Sequence, residues 1–497
     1  MSEVRSSVAR GAAWMVVARL LDRGLGLIST LILARLLTPD DFGLIAMAMS
    51  VVALLDLLRA FGFDVVLIQH PDPTREHYDT AWTFNIGVCA AVAAVLAALA
   101  YPASIFFDEA DLTAVMLLLA LSPLISSLRN IGIVDFRKKL EFDREFRFMF
   151  FARLSRFVVT IPLAFWLRNH WALVAGMLSG RAFEVVLSYV MHPYRPRPSL
   201  AVWRELYHFS KWLVIKNMVQ LLTQRSADFV IGRIAGIRAL GLFNVSYEIA
   251  YLPSSELAAP LNRAIFPGYA KHAEDRQALG RGMLEVVGMV ALVILPAGAG
   301  LMATADYVVP VLLGDAWLEA IPIVPVLALH GLLTALGSNA GYLFFTLGKP
   351  RIVSNVAMLQ LVVLLPGLII GVSRFGVIGA AWAYAVATSI ILPTSYGILL
   401  RELSLPVSAL FARIWRPLVA MSAMVVLVRE MSAWMPEADG TFELMLQLGV
   451  LVGVGNLSYI AAVTALWWAS RRPDGAERYV LDRVLHRVPG LAGRAGR

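Results

Sequence analysis

Residues Gly11–Leu36 read GAAWMVVARLLDRGLGLISTLILARL. About 25 residues of largely apolar side chains run together here, and a helix rising 1.5 Å per residue needs about 20 to cross the roughly 30 Å hydrocarbon core of a bilayer. The stretch predicts a spanning helix over residues 12–36. It is too long for the apolar core of a cleavable signal, about 7–15 residues, so it is expected to stay as the first span. The rest of the chain repeats the pattern. Of 497 residues, 59% are hydrophobic and 16% charged, against about 45–50% and about 25% in soluble domains. The mean hydropathy is +0.71. No soluble core could hide so much apolar surface, so lipid must solvate most of it. The expected fold class is an all-α integral membrane protein with about fourteen transmembrane helices and no sizeable soluble domain.

The further spans are expected at 42–68, 80–104, 112–134, 146–167, 171–191, 209–235, 239–266, 281–303, 320–346, 351–372, 376–400, 411–434 and 443–469. Tyr307–Leu313 is too short to cross and predicts a surface or re-entrant helix. Loop charges set the orientation. With the N terminus inside, the inner loops carry Arg137, Lys138, Lys139, Arg144 and Arg147, then Arg195, Arg197 and Arg204, Lys271 and Arg276, and Lys349 and Arg351. The tail adds Arg471, Arg472, Arg478, Arg483 and Arg487. The outer loops are acidic, with Asp40, Asp41, Asp108, Glu109, Asp111, Asp306, Asp315, Glu319, Glu437, Asp439 and Glu443, and few arginines (Arg168, Arg238, Arg374, Arg429). This positive-inside bias places both termini in the cytoplasm. It also accounts for the net charge of +8 without a nucleic-acid partner.

The chain repeats itself at an offset of 198 residues: Trp14 matches Trp212, Arg35 matches Arg233, Gly43 matches Gly241 and Leu44 matches Leu242. A weaker echo links Leu119-Ala120-Leu121 to Leu327-Ala328-Leu329. Six spans separate the copies of the main repeat, an even number, so both halves keep one orientation, as in transporters built on an axis normal to the membrane. The expected organisation is an N-lobe over 1–191, a cytoplasmic linker over 192–208, a C-lobe over 209–400, two further helices over 401–470 and a cytoplasmic tail over 471–497.

Gly11-Ala12-Ala13-Trp14 followed by Leu33-Ala34-Arg35-Leu36-Leu37-Thr38-Pro39-Asp40-Asp41-Phe42-Gly43-Leu44 resembles the start of Wzx-type polysaccharide exporters. These share a superfamily with the MATE multidrug transporters and the lipid II flippase. The resemblance implies two six-helix lobes and translocation of an undecaprenyl-diphosphate-linked oligosaccharide across a bacterial inner membrane. The C-terminal pair of spans resembles the lipid II flippase, where such a pair forms a groove for the lipid tail, and MATE proteins usually lack it.

Charges inside the spans supply independent chemistry, because an ionised group at mid-bilayer costs at least about 2.5–3.5 kcal/mol unless it meets water or a partner. They cluster in spans 1, 2, 7 and 8: Arg19, Asp22, Arg23 and Arg35; Asp56, Arg59 and Asp64; Lys216, Arg225, Asp228 and Arg233; Glu248, Glu256 and Arg263. Arg19–Asp22, Asp56–Arg59, Arg225–Asp228 and Arg181–Glu184 are each three apart on one helical face. Each pair reads equally as a structural clamp or as a substrate contact. Arg35 and Arg233 near helix ends fit snorkelling to headgroups. Arg153 and Arg156 in span 5 fit either interface anchoring or the site. Arg23, Lys216 and Arg263 have no carboxylate one turn away and are the leading substrate-binding candidates, followed by Arg19, Arg59 and Arg225. Guanidinium gives a diphosphate planar, bidentate donors that stay charged. Asp22, Asp56, Asp64, Asp228, Glu248 and Glu256 are candidates for glycan contact or for H⁺ or Na⁺ coupling.

Cys89 is the sole cysteine, which excludes an intrachain disulfide and a thiolate cluster. The chain has no G-x-x-x-x-G-K-[ST] loop and no H-E-x-x-H pair. His330 reads as a bonded packing residue. No metal, cofactor or catalytic residue is expected. The alternatives are a cation-coupled, MATE-like small-molecule exporter and a membrane polysaccharide polymerase or ligase. The short outer loops argue against the second.

Overall fold

The computed structural model describes residues 21, 23–56, 67–68, 70, 72–258, 269, 275–473 and 475–479, with the backbone alone for 56 and 203–224. The described residues form helices and no strand, as expected of an integral membrane protein whose backbone must satisfy itself within each segment. They group into two compact units, 1–242 and 243–497.

In the first unit α1 covers 23–36 and α2 Pro39–Asp56. The Thr38-Pro39-Asp40-Asp41 motif is a helix start: Thr38 donates to Asp41 Oδ2 through its N–H at 2.9 Å and its hydroxyl at 2.8 Å, with Pro39 at the first helical position. α3 is Arg75–Phe107. α4 (Asp111–Leu119), α5 (Leu121–Ser127) and α6 (Val134–Lys138) follow, and the α4–α5 stretch meets the Ile131–Lys138 stretch at a 67° bend. Buried Asn130 makes that bend. Its Oδ1 accepts from the Gly132 N–H at 2.9 Å, and its Nδ2 donates to the carbonyls of Tyr194 at 2.7 Å and His192 at 3.2 Å. α7 (Phe142–Leu167) and α8 (Trp171–Met191) form an antiparallel hairpin through Arg168, which takes the left-handed conformation at φ 49°. Gly176 and Gly180, four apart on α8, face Thr160 and Arg156, four apart on α7; a Cβ at either glycine would crowd the facing side chain.

α9 spans Trp203–Pro253 and is broken at Gly236 (φ 83°), where the sequence places the end of span 7. Near this break the two copies of the repeat meet reciprocally. A Cβ on Gly43 would overlap the Ile237 carbonyl, and one on Gly241 would overlap the Pro39 carbonyl. Arg238 Nη1 stands 3.2 Å from Asp40 Oδ2. Under the 198-residue offset the Gly43–Ile237 and Gly241–Pro39 contacts exchange, and Arg238 and Asp40 are each other's equivalents, as a local two-fold axis requires.

The second unit continues from Phe243 through a π-turn at Ser254–Ala258 into α10 (Arg276–Ala303), α11 (Ala305–Leu312), α12 (Ile323–Thr346), α13 (Pro350–Glu402), α14 (Val407–Ala433) and α15 (Thr441–Ala469). α13 breaks at Gly376 (φ 61°), and the Gly371 and Gly379 backbones pack against each other across the turn. One core joins α10, α12, α13 and α14 around Leu279, Met283, Leu343 and Leu399; another joins α10, α14 and α15 around Ala420 and Leu451. His330 is 3% exposed and lies 2.8 Å from the Thr388 hydroxyl, so it is a bonded interior residue. Among the described residues nine helices are long and apolar enough to cross a membrane, or ten if the bent pair counts as one span. The predicted fourteen is not reached by this measure for two reasons. α9 and α13 are each counted once although each holds two predicted spans on either side of a glycine break, and parts of spans 1, 2 and 8 lie outside the described residues. The short predicted helix at Tyr307–Leu313 corresponds to α11.

Candidate functional site: a guanidinium-lined cavity

The first unit contains a cavity of about 340 Å³ walled by the segment after α5, by α6 and by facing sides of α7 and α8. Five arginines line it (Arg129, Arg137, Arg153, Arg156 and Arg181) against two glutamates, Glu145 and Glu184, an excess of three positive charges. Glu184 receives Arg181 Nη1 at 3.1 Å from its own helix and Arg129 Nη1 at 3.2 Å from the segment before the bend. Glu145, 5% exposed, is ion-paired with Arg137. Both carboxylates therefore have guanidinium partners. Phe136, Phe148 and Met149 supply an apolar side.

Arg153 and Arg156 project from the interior of α7. Arg156 lies fourteen residues after Phe142, which at 1.5 Å per residue is about 21 Å along the helix. Glycines make room for both: a Cβ on Gly26 of α1 would strike the Arg153 guanidinium, and one on Gly180 would press the Arg156 side chain at 3.1 Å. The expected Arg181–Glu184 pair forms, but as part of a three-residue cluster with Arg129. From sequence Arg137 reads only as an inner-loop charge, and Arg129 and Glu145 are not singled out. A signal was present in the two arginines at 153 and 156 opposite two glycines at 176 and 180, a spacing that lets two helices approach closely.

The predicted site residues are distributed as follows. Arg19, Asp22, Arg59, Asp64 and Arg263 lie outside the described residues, and for Asp56 and Lys216 the backbone alone is described. Arg23 on α1 is exposed, and so is Glu248 on α9. Arg225 Nη1 contacts Asp228 Oδ2 at 2.9 Å, and the Asp228 side chain is 5% exposed. Glu256 is half-buried in the π-turn and accepts from the Ser255 hydroxyl at 2.9 Å. Arg35 and Arg233 are exposed, Arg233 over the Phe106 ring at 5.9 Å. Among the described residues no group of three His, Cys, Asp or Glu is placed to hold a metal ion.

A polytopic helical bundle with glycine-broken spans has the architecture of a multi-pass membrane protein. Its fold is that of the lipid II flippase MurJ in an inward closed conformation, with a TM-score of 0.73 at 12% identity over 92% of this chain and 99% of that one. It also matches the inward-facing structure of a MATE-family multidrug transporter of the MOP superfamily, at 0.59 and 14% over 76% of this chain and 94% of that one. Residues 32–322 match the family described as "Polysaccharide biosynthesis protein", and the chain belongs to that family. The matched region includes the Leu33–Leu44 motif. WzxC of Escherichia coli K12, a lipopolysaccharide biosynthesis protein, is 25% identical over 80% of this chain and 82% of its own length. TuaB of Bacillus subtilis, a teichuronic acid biosynthesis protein, is 22% identical over 93% and 96%. ExoT of Rhizobium meliloti, a succinoglycan biosynthesis transport protein, is 23% identical over 68% and 69%.

Proposed function

We propose that this protein is a flippase of the bacterial inner membrane that carries an undecaprenyl-diphosphate-linked oligosaccharide from the cytoplasmic to the outer leaflet, without covalent chemistry. The observation that carries the reading is membership of a polysaccharide biosynthesis family combined with a fold shared with a lipid flippase. The sign of the embedded charge supports it. A cavity for organic cations calls for carboxylates and aromatic walls, whereas the cavity here is lined five to two by guanidinium over carboxylate.

In this proposal both termini lie in the cytoplasm, and two six-helix lobes, 1–191 and 209–400, rock about the substrate. The isoprenoid tail stays in lipid along spans 13 and 14. Arg23, Lys216 and Arg263 hold the diphosphate in a vestibule of spans 1, 2, 7 and 8, with Arg19 and Arg59 supporting. H⁺ or Na⁺ coupling falls to Asp22, Asp56, Asp64, Glu248 or Glu256. Arg225 and Asp228 occupy each other at 2.9 Å, which argues for a structural role for that pair.

The test is complementation of a deletion strain with Arg23→Ala or Arg263→Ala. Surface polymer is expected to fall at least tenfold at equal membrane abundance of the protein. Full export by both variants removes those residues from the mechanism. A deletion strain with normal surface polysaccharide and new drug sensitivity replaces the flippase with a small-molecule exporter.

A further inference from the structure

We infer that the segment after α15, residues 473–479, is a latch seated on α10 and α14 that opens during transport; the opening rests on the flippase reading. The segment begins at a strained turn. Arg471 and Arg472 follow α15 in succession with φ of 62° and 54°, the left-handed region that residues with a side chain rarely adopt. α15 holds the turn in place. The Trp467 indole N–H donates to the Pro473 carbonyl at 3.1 Å, and the Arg472 guanidinium lies 4.6 Å from the centre of the Trp468 ring. The chain is thereby sent back against the bundle, where Ala476 and Glu477 are buried. Arg416 Nε of α14 donates to Glu477 Oε1 at 2.8 Å, and the two side chains are 5% and 6% exposed. Arg413, one turn earlier on α14, borders the same carboxylate: a Cβ on Gly475 would stand 3.1 Å from Arg413 Nη1 and 2.9 Å from Glu477 Oε2. On the α10 side, a Cβ on Gly288 would lie 3.7 Å from the Ala476 Cβ.

Two features make this contact a fastener that releases. A buried ion pair adds little stability over apolar packing of the same volume, and the neighbouring core of α10, α14 and α15 is built from apolar side chains such as Ala299, Ala420 and Leu451. What the pair adds is reversibility, because each charge regains water when the segment leaves. The backbone strain at Arg471 and Arg472 acts in the same direction, since it is borne while the contacts of residues 473–477 hold and is relieved when they part. The far side of the segment already faces outward through Arg478 and Tyr479. α14 and α15 pack on each other and on α10, so a latch from the end of α15 onto α10 and α14 governs whether that pair can shift.

The experiment locks the latch in the full-length chain. In a Cys89→Ala background, Gly288→Cys with Ala476→Cys places two thiols at the Cβ separation of a bridged pair, about 3.5–4.5 Å. Dibromobimane, which crosses membranes and fluoresces once both thiols have reacted, is added to a complemented deletion strain. Export of new surface polymer is expected to fall at least tenfold in the bridged double variant and to stay within twofold in either single variant treated alike. Near-complete bridging with unchanged export overturns the inference, and so does a folded double variant that does not bridge. A second measurement is independent of export. In membranes carrying Ala476→Cys, adding Glu477→Gln should raise the rate of maleimide labelling at position 476 at least tenfold, while a Leu200→Cys control keeps its rate within twofold. Equal rates at position 476 with and without Glu477→Gln overturn the inference, and this arm decides it alone if the Gly288→Cys variant does not fold. A deletion strain with normal surface polymer would defeat the flippase reading, and the labelling rates would still judge the latch.

Discussion

His192 ends α8 and begins the segment that leaves it. Its Nδ1 accepts from the Tyr194 N–H at 3.2 Å, and its Nε2 faces Asp135 Oδ2 at 3.8 Å. The same segment is tied to α3, where Asp79 Oδ1 accepts from the Tyr194 hydroxyl at 2.7 Å and from the Arg197 N–H at 2.8 Å. Burial holds His192 below its ordinary value of 6.5, outweighing the pull of the Asp135 carboxylate. Burial alone would raise Asp135, but the Lys139 ammonium and the Tyr78 hydroxyl outweigh it and keep that carboxyl below its usual range. Both groups therefore bind protons less readily folded than unfolded. Their stabilisation is complete above the unfolded values and is lost as pH falls through the folded ones. For His192 the decline begins below about pH 6.5, and protonation at Nδ1 also removes the acceptor for the Tyr194 N–H. Hydrogen exchange of residues 192–202, corrected for intrinsic rates, is expected to be slow at pH 7.5 and faster by pH 5. His192→Gln should flatten that dependence. A profile unchanged in wild type between those values would rule out the histidine as the cause.

The elements most legible from sequence are those whose ends carry their own chemistry. The Thr38-Pro39-Asp40-Asp41 motif marks a helix start because hydroxyl, proline and carboxylate do that locally. The predicted breaks at 235–239 and 372–376 fall on Gly236 and Gly376, whose positive φ is open to glycine at no cost. The bend of span 4 was not legible, since Asn130 needs the carbonyls of His192 and Tyr194, more than sixty residues away, to make it. The cavity is hidden for the same reason: residues 129, 145, 156 and 181 come together only when the segment after α5 packs against α7 and α8. The 198-residue repeat was legible, and it explains why glycine occupies both 43 and 241. Gly43→Ala and Gly241→Ala should each force the crossing backbones apart and destabilise by about 1–3 kcal/mol, the range for overpacking. Because one joint carries both, the double variant should cost less than the sum of the two. Thermal unfolding in detergent checks this, and strict additivity would dissolve the reciprocal joint.

At the scale of the whole molecule the charge pattern is the strongest constraint on how the chain sits in the bilayer. Two of the four arginines in loops that the positive-inside rule assigns to the outside are matched by carboxylates: Arg238 meets Asp40 at 3.2 Å and Arg429 meets Asp306 at 3.0 Å. Those pairs are about half exposed and add little stability. Their effect is to reduce the net positive charge of loops that the rule assigns to the outside. A direct measurement is within reach because Cys89 is the sole cysteine and is buried. In a Cys89→Ala background, Leu200→Cys reports on the segment between α8 and α9, where residue 200 is 55% exposed. Asp439→Cys reports on the exposed turn between α14 and α15. If the termini are cytoplasmic, a membrane-impermeant maleimide added to spheroplasts should label position 439 at once and position 200 only after the membrane is opened. The opposite order would invert the protein and move the basic cavity to the outer leaflet.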